Sequence, residues 1–199
     1  MRGGGVGVTD YNGTMQLLRH GAFLHAELKL ENGEVRHGLA MPWAGRLVLA
    51  YGPKDKVEIG AYRIEGDQLT GLWIPPGAAG ADYAECGHEH STRGAGDIWT
   101  ITQAHAIDQA PYSGSLQVTP LEVLSGSAPA AVKIEWHLHD GNYSSFGLKF
   151  AEAMYTTFSF EPEKPYGVAV YEQAGDELAG TWIDSNGQRV GTETLQRAT

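Results

Sequence analysis

Tyr62-Arg-Ile-Glu-Gly-Asp-Gln-Leu-Thr-Gly-Leu-Trp-Ile74 and Tyr171-Glu-Gln-Ala-Gly-Asp-Glu-Leu-Ala-Gly-Thr-Trp-Ile183 are one pattern written twice. Tyr62/Tyr171, Gly66/Gly175, Asp67/Asp176, Leu69/Leu178, Gly71/Gly180, Trp73/Trp182 and Ile74/Ile183 coincide at a constant offset. Each copy reads as a strand, a Gly-Asp turn and a second strand whose Leu, Gly and Trp alternate onto one face. The likeness runs further upstream. Residues 37–74 match 146–183 without a gap, with 11 of 38 positions identical, which identifies an internal repeat.

Working outward, the other segments carry the same period of two. Leu24, Ala26, Leu28 and Leu30 alternate with His25, Glu27 and Lys29, so this strand has one buried and one polar face. Asn32-Gly33 is a hairpin signal, and the return strand places Val35, His37, Leu39 and Met41 together. Tyr11-Asn-Gly13 has its counterpart in Tyr112-Ser-Gly114. In the second copy Val132, Ile134, Trp136 and Leu138 match Leu24 to Leu30 when the following turn, at Asp140-Gly-Asn142, is one residue tighter. An extra stretch, Glu122 to Pro129, reads as a surface loop, and Pro75 to Gly96 shows no clear period.

No segment sustains a helical period. The fold class is therefore all-β: two tandem repeats, each a small antiparallel meander of seven to eight strands. The repeats form calycin-like barrels or a pseudo-twofold sheet assembly. The expected division is residues 1–96, the first repeat plus a Gly/His-rich connecting loop, and 97–199, the second repeat. An eight-stranded barrel has room for side chains or one small ligand, and closure removes the unpaired edges.

Composition narrows the partners. With 199 residues, a formal charge of −10 and scattered cations, the chain repels a phosphate backbone or an anionic bilayer. Nucleic acid and membrane are not expected partners. The single cysteine, Cys86, excludes an internal disulfide, and the N-terminal stretch lacks the apolar run of a signal peptide, so a cytoplasmic location is expected. A homodimer is compatible with the sequence.

The pattern Tyr112-Ser-Gly114, Trp136, Phe146-Gly-Leu148, Tyr171, Gly175-Asp-Glu-Leu178, Gly180-Thr-Trp182 and Gly191-Thr-Glu193 resembles a family of bacterial proteins of little-known function, some labelled fibronectin-binding. It is also loosely similar to the Gly-x-Trp strands of avidin-type and lipocalin-type barrels. The resemblance implies a small β-barrel and carries no catalytic residue across. In the first copy Trp136 has no Trp counterpart, and a Gly-Thr-Glu is missing near Glu85.

Several residues are candidates for function. Trp73, Trp182, Tyr51, Phe146 and Phe158 are the expected walls of an apolar pocket. His37, if its face lines a cavity, is the candidate general base, with Tyr62 and Tyr171 as phenol partners. Asp67 and Asp176 read as turn residues. Cys86, His88 and His90, with His137 and His139, have donor types that suit zinc, though no Cys-x-x-Cys or His-Glu-x-x-His occurs. No cofactor is expected; zinc is the alternative. No Gly-x-Ser-x-Gly, phosphate-binding loop or dinucleotide fingerprint is present. The leading expectation is a binder of a small, partly apolar molecule in a barrel lined by Trp and Tyr. The alternatives are a cofactor-free lyase, isomerase or cyclase using the same cavity, and an interaction module without a cavity.

Overall fold

The computed structural model describes every residue except 6–7, 55, 76–85, 106–109, 123–128, 186, 188 and 198–199. The expected loops at 122–129 and at the start of 75–96 lie largely outside the described residues. Sixteen strands are described. The first five are β1 (Arg2–Gly5), β2 (Val8–His20), β3 (Phe23–Leu30), β4 (Val35–Trp43) and β5 (Arg46–Gly52). Then come β6 (Val57–Glu65), β7 (Gln68–Ile74), β8 (Gly87–Arg93), β9 (Ile98–His105) and β10 (Tyr112–Pro120). The last six are β11 (Ala130–Leu138), β12 (Gly141–Lys149), β13 (Ala153–Ser159), β14 (Gly167–Ala174), β15 (Glu177–Asp184) and β16 (Val190–Gln196). Strand β8 lies in the stretch where the sequence shows no clear period. Its inward residues are Gly87, Glu89 and Ser91, so a hydrophobicity pattern has nothing to register there.

The strands close into two antiparallel barrels of eight. One, here the terminal barrel, runs β1-β16-β15-β14-β5-β4-β3-β2. The other, the central barrel, is the continuous run β6 to β13, closed by pairing of β6 with β13. The sequence repeat and the barrel are therefore different units. Each repeat contributes five strands to one barrel and three to the other, and the strand bearing each Gly-x-Trp motif completes the barrel begun by the other copy. Exchanging equivalent strands preserves the local pairings, so the swap costs little.

The motif hairpins form as their turns dictate. Gly66 and Gly175 have φ of 60° and 65°, the left-handed value a two-residue hairpin turn requires at its first central position. Three apolar cores result. Ala26, Leu28, Leu49, Ala169, Tyr171 and Trp182 fill the terminal barrel. Tyr62, Leu69, Trp99, Leu116, Ile134 and Met154 fill the central one. A third cluster, including Met41, Val48, Ile59, Leu148, Tyr155 and Val168, is the seam between barrels. Arg46 spans that seam. Its guanidinium lies 4.2 Å from the Phe150 ring centre and pairs with Glu152 and Glu172, each at 2.6 Å.

Candidate functional site

The faces of the motif strands decide what the lumens contain. Along β15, Ile183 packs in the seam while Gly180 and Trp182 turn inward; along β7, Leu72 and Ile74 face the seam while Gly71 and Trp73 turn inward. Each aromatic ring lies flat against a glycine of the neighbouring strand. A Cβ on Gly180 would overlap the Tyr171 ring, and one on Gly191 would sit 2.5 Å from Trp182 Cζ2. Gly71 stands in the same relation to Tyr62, and Gly87 to Trp73. Glycine is needed here because nothing larger lets a ring approach the backbone so closely.

Next to each tryptophan is a buried glutamate. In the terminal barrel Glu193, on β16, is 6% exposed. The Tyr171 hydroxyl donates to its Oε1 and the Tyr11 hydroxyl to its Oε2, the latter at 2.7 Å. In the central barrel Glu89, on β8, is 1% exposed; Ser91 Oγ donates to its Oε1 at 3.2 Å and the Tyr112 hydroxyl to its Oε2 at 3.3 Å. Burial pushes Glu89 up to about 7, an effect opposed by hydrogen bonds from Ser91, Tyr112 and Trp136. Burial, then the nearby Glu193 charge, raises Tyr171 and Tyr11 well above the usual phenol range, so both stay protonated donors. Tyr62 is raised by burial and by Glu89.

Tyr11, Tyr112, Glu89 and Glu193 are not among the site residues the sequence suggested. A signal was there: Gly87-His-Glu89 and Gly191-Thr-Glu193 are equivalent, but His88 and His90 on either side mask the first.

The terminal barrel has a cleft at its mouth. A hollow of about 430 Å³ is bounded by Tyr11, Leu30, Arg36, Tyr51, Tyr166 and Trp182, with Asp10, Glu31, Glu34, Asp184 and Arg189 among its polar lining. The Trp182 indole N–H is buried and has no hydrogen-bond partner among the described residues; the side chain is 6% exposed. Larger hollows along the outside of β1 and β16, one of about 800 Å³, contain no such buried donor.

The residues suggested by sequence are distributed as follows. Trp182, Tyr171 and Tyr51 gather in the terminal barrel, and Trp73 and Tyr62 in the central one. Phe158, opposite Glu58 on the ladder, packs edge-on against Phe160 at 5.2 Å. Phe146 belongs to the seam. His37 shares its face with Leu39 and Met41, the outer face of the terminal barrel; it stacks on His25 at 5.8 Å, its Nδ1 buried without a partner. It does not face the cleft. Asp67 and Asp176 are exposed at the turn tips.

The expected metal donors are not brought together. Cys86 is buried in the seam cluster, His88 lies 5.3 Å from His105, and His90 Nδ1 is 3.5 Å from Thr70 Oγ1. His137 and His139 are exposed, and His137 Nδ1 is 3.1 Å from Asn142 Oδ1. Strands β9 and β10 separate β8 from β11. Among the described residues no group of three His, Cys, Asp or Glu side chains could hold a metal ion. In a barrel, residues two apart on a strand share a face, but strands three places apart around the circumference do not present one outer surface.

No family model matches the chain, and neither a curated protein nor a solved structure matches it. The functional reading therefore rests on geometry alone.

Proposed function

We propose that the terminal barrel binds a small, partly apolar molecule in the cleft at its mouth. The carrying observation is the Trp182 N–H, which is buried at the edge of that cleft and unpartnered. An unmade hydrogen bond at a buried donor costs about 1–3 kcal/mol, a penalty an acceptor on a ligand would relieve. Leu30, Tyr166 and the Trp182 ring supply apolar wall, and a hollow of about 430 Å³ falls within the usual range for small-molecule sites. The proton-transfer alternative draws no support from His37, whose ring is on the outer face. The reading of a module without a cavity has to leave this cleft empty of purpose.

The test is a titration with acetophenone and with ethylbenzene, followed by backbone and indole NMR. Shifts should concentrate at Leu30, Tyr166 and the Trp182 indole, the last assigned with Trp182→Phe. No saturable shift with either compound, or shifts confined to the central barrel, would overturn the proposal.

A further inference from the structure

We infer that the terminal-barrel cleft selects uncharged compounds bearing a carbonyl-type acceptor, held between the Tyr51 hydroxyl and the Trp182 indole N–H. This rests on the cleft being a ligand site and says what enters it.

Tyr51 is 7% exposed and lines the cleft. The ladder shows where it points. Tyr51 stands opposite Gly167, and Gly167 opposite Asp184, two residues beyond Trp182 on the same face. A Cβ on Gly167 would overlap the Tyr51 hydroxyl and lie 2.6 Å from Cζ, so the hydroxyl end of the ring rests over that glycine. The phenol O–H and the indole N–H thus border one cleft from the two strands that flank β14. Both are neutral donors, and a carbonyl oxygen has two lone pairs to accept from two directions. The ring of Tyr51 is in turn held by the Arg36 guanidinium, 5.5 Å from its centre.

The charges around the cleft exclude an anion. Arg36 Nε is 2.7 Å from Glu34 Oε1, and Arg189 donates to Asp184 through both Nε and its backbone N–H. Both cations are therefore matched, while Asp10 and Glu31 remain on the rim and Glu193 stands behind the phenols. A carboxylate would meet uncompensated negative charge and would lose its own hydration. A hydrocarbon of the same shape would leave both donors without acceptors.

Acetophenone, ethylbenzene and benzoate share one ring and differ only in this group, so NMR titration with the three tests the inference. Acetophenone should bind about tenfold tighter than either of the others and move the Trp182 indole proton downfield. Tyr51→Phe should erase most of that advantage and leave ethylbenzene unchanged. Equal binding of ketone and hydrocarbon would sink the inference while the cleft remains a binding site, and so would tighter binding of benzoate. If none of the three perturbs the cleft, both the inference and the proposed function fall.

Discussion

The terminal and central barrels are built from the same repeat, yet the terminal barrel opens into a cleft and burial pushes the acid of the central barrel, Glu89, up to about 7. Their frames coincide: Tyr11/Tyr112, Tyr171/Tyr62, Trp182/Trp73 and Glu193/Glu89 occupy equivalent rungs. What differs is the packing around that frame. Where the terminal barrel places Leu28, opposite Met15, the central barrel places Trp136, opposite Leu116, and Trp99 from β9 fills more of its lumen. Where the terminal barrel lays Tyr51 across Gly167, the central barrel has Phe158 beside Glu58. A side chain at the glycine position denies the ring its resting place, and Phe158 turns to Phe160 instead. Gly167 thus gives the Tyr51 ring its place at the mouth.

The comparison predicts opposite responses to one substitution. The carboxyls of Glu89 and Glu58, both pushed up to about 7 by burial, disfavour their charged forms in the fold. Between the unfolded value of about 4.5 and 7 the folded state holds more protons, so their contribution is complete below about pH 4.5 and lost as pH rises through 7. Glu89→Gln should therefore stabilise the protein at pH 8, by up to about 3 kcal/mol in denaturant unfolding, and flatten this pH dependence. Glu193→Gln should destabilise by about 1–3 kcal/mol, because a carboxylate oxygen is lost to a phenol donor. Equal effects of the two would erase the distinction between the barrels.

Alanine at the ring-facing glycines comes next. Gly191→Ala and Gly87→Ala should each cost about 1–3 kcal/mol by forcing an indole from its place, as read from thermal melts. The first should be worse, since its Cβ also meets the Gly4 backbone carbonyl, whereas the nearest atoms to a Cβ on Gly87 are those of the Trp73 side chain.

Smaller still are the phenols. Tyr11→Phe removes a 2.7 Å hydrogen bond and should cost about 1–2 kcal/mol, while Tyr112→Phe removes one of 3.3 Å and should cost less than about 1 kcal/mol. Tyr51→Phe removes a hydroxyl at the cleft and should change unfolding free energy by less than about 0.5 kcal/mol, even as carbonyl affinity drops. A large stability loss in that variant would mean the hydroxyl is already engaged in the free protein.

Much of this molecule could be read along the chain. The duplication, the strands, the Gly-Asp turns and the inward Trp73 and Trp182 all follow from period-two alternation and turn chemistry, which are local. Strand β8 escaped because its inward residues are Gly87, Glu89 and Ser91, so the polarity rule pointed the wrong way. The acids of the lumen escaped for the same reason: a glutamate on a strand reads as solvent-facing until its neighbours across the ladder are known.

Which strands close which barrel was decided only in three dimensions. A repeat specifies equivalent pairings whether its last three strands return to their own copy or cross to the other, since the local contacts are the same. The seam through Met41, Ile59, Tyr155 and Val168, clamped by Arg46, buries apolar surface contributed by both copies, and no local pattern encodes that choice. The cleft was likewise beyond the sequence, which supplied Tyr51, Gly167 and Trp182 on three separate strands. Closure of the terminal barrel made β5, β14 and β15 consecutive strands and brought a phenol and an indole donor to one opening.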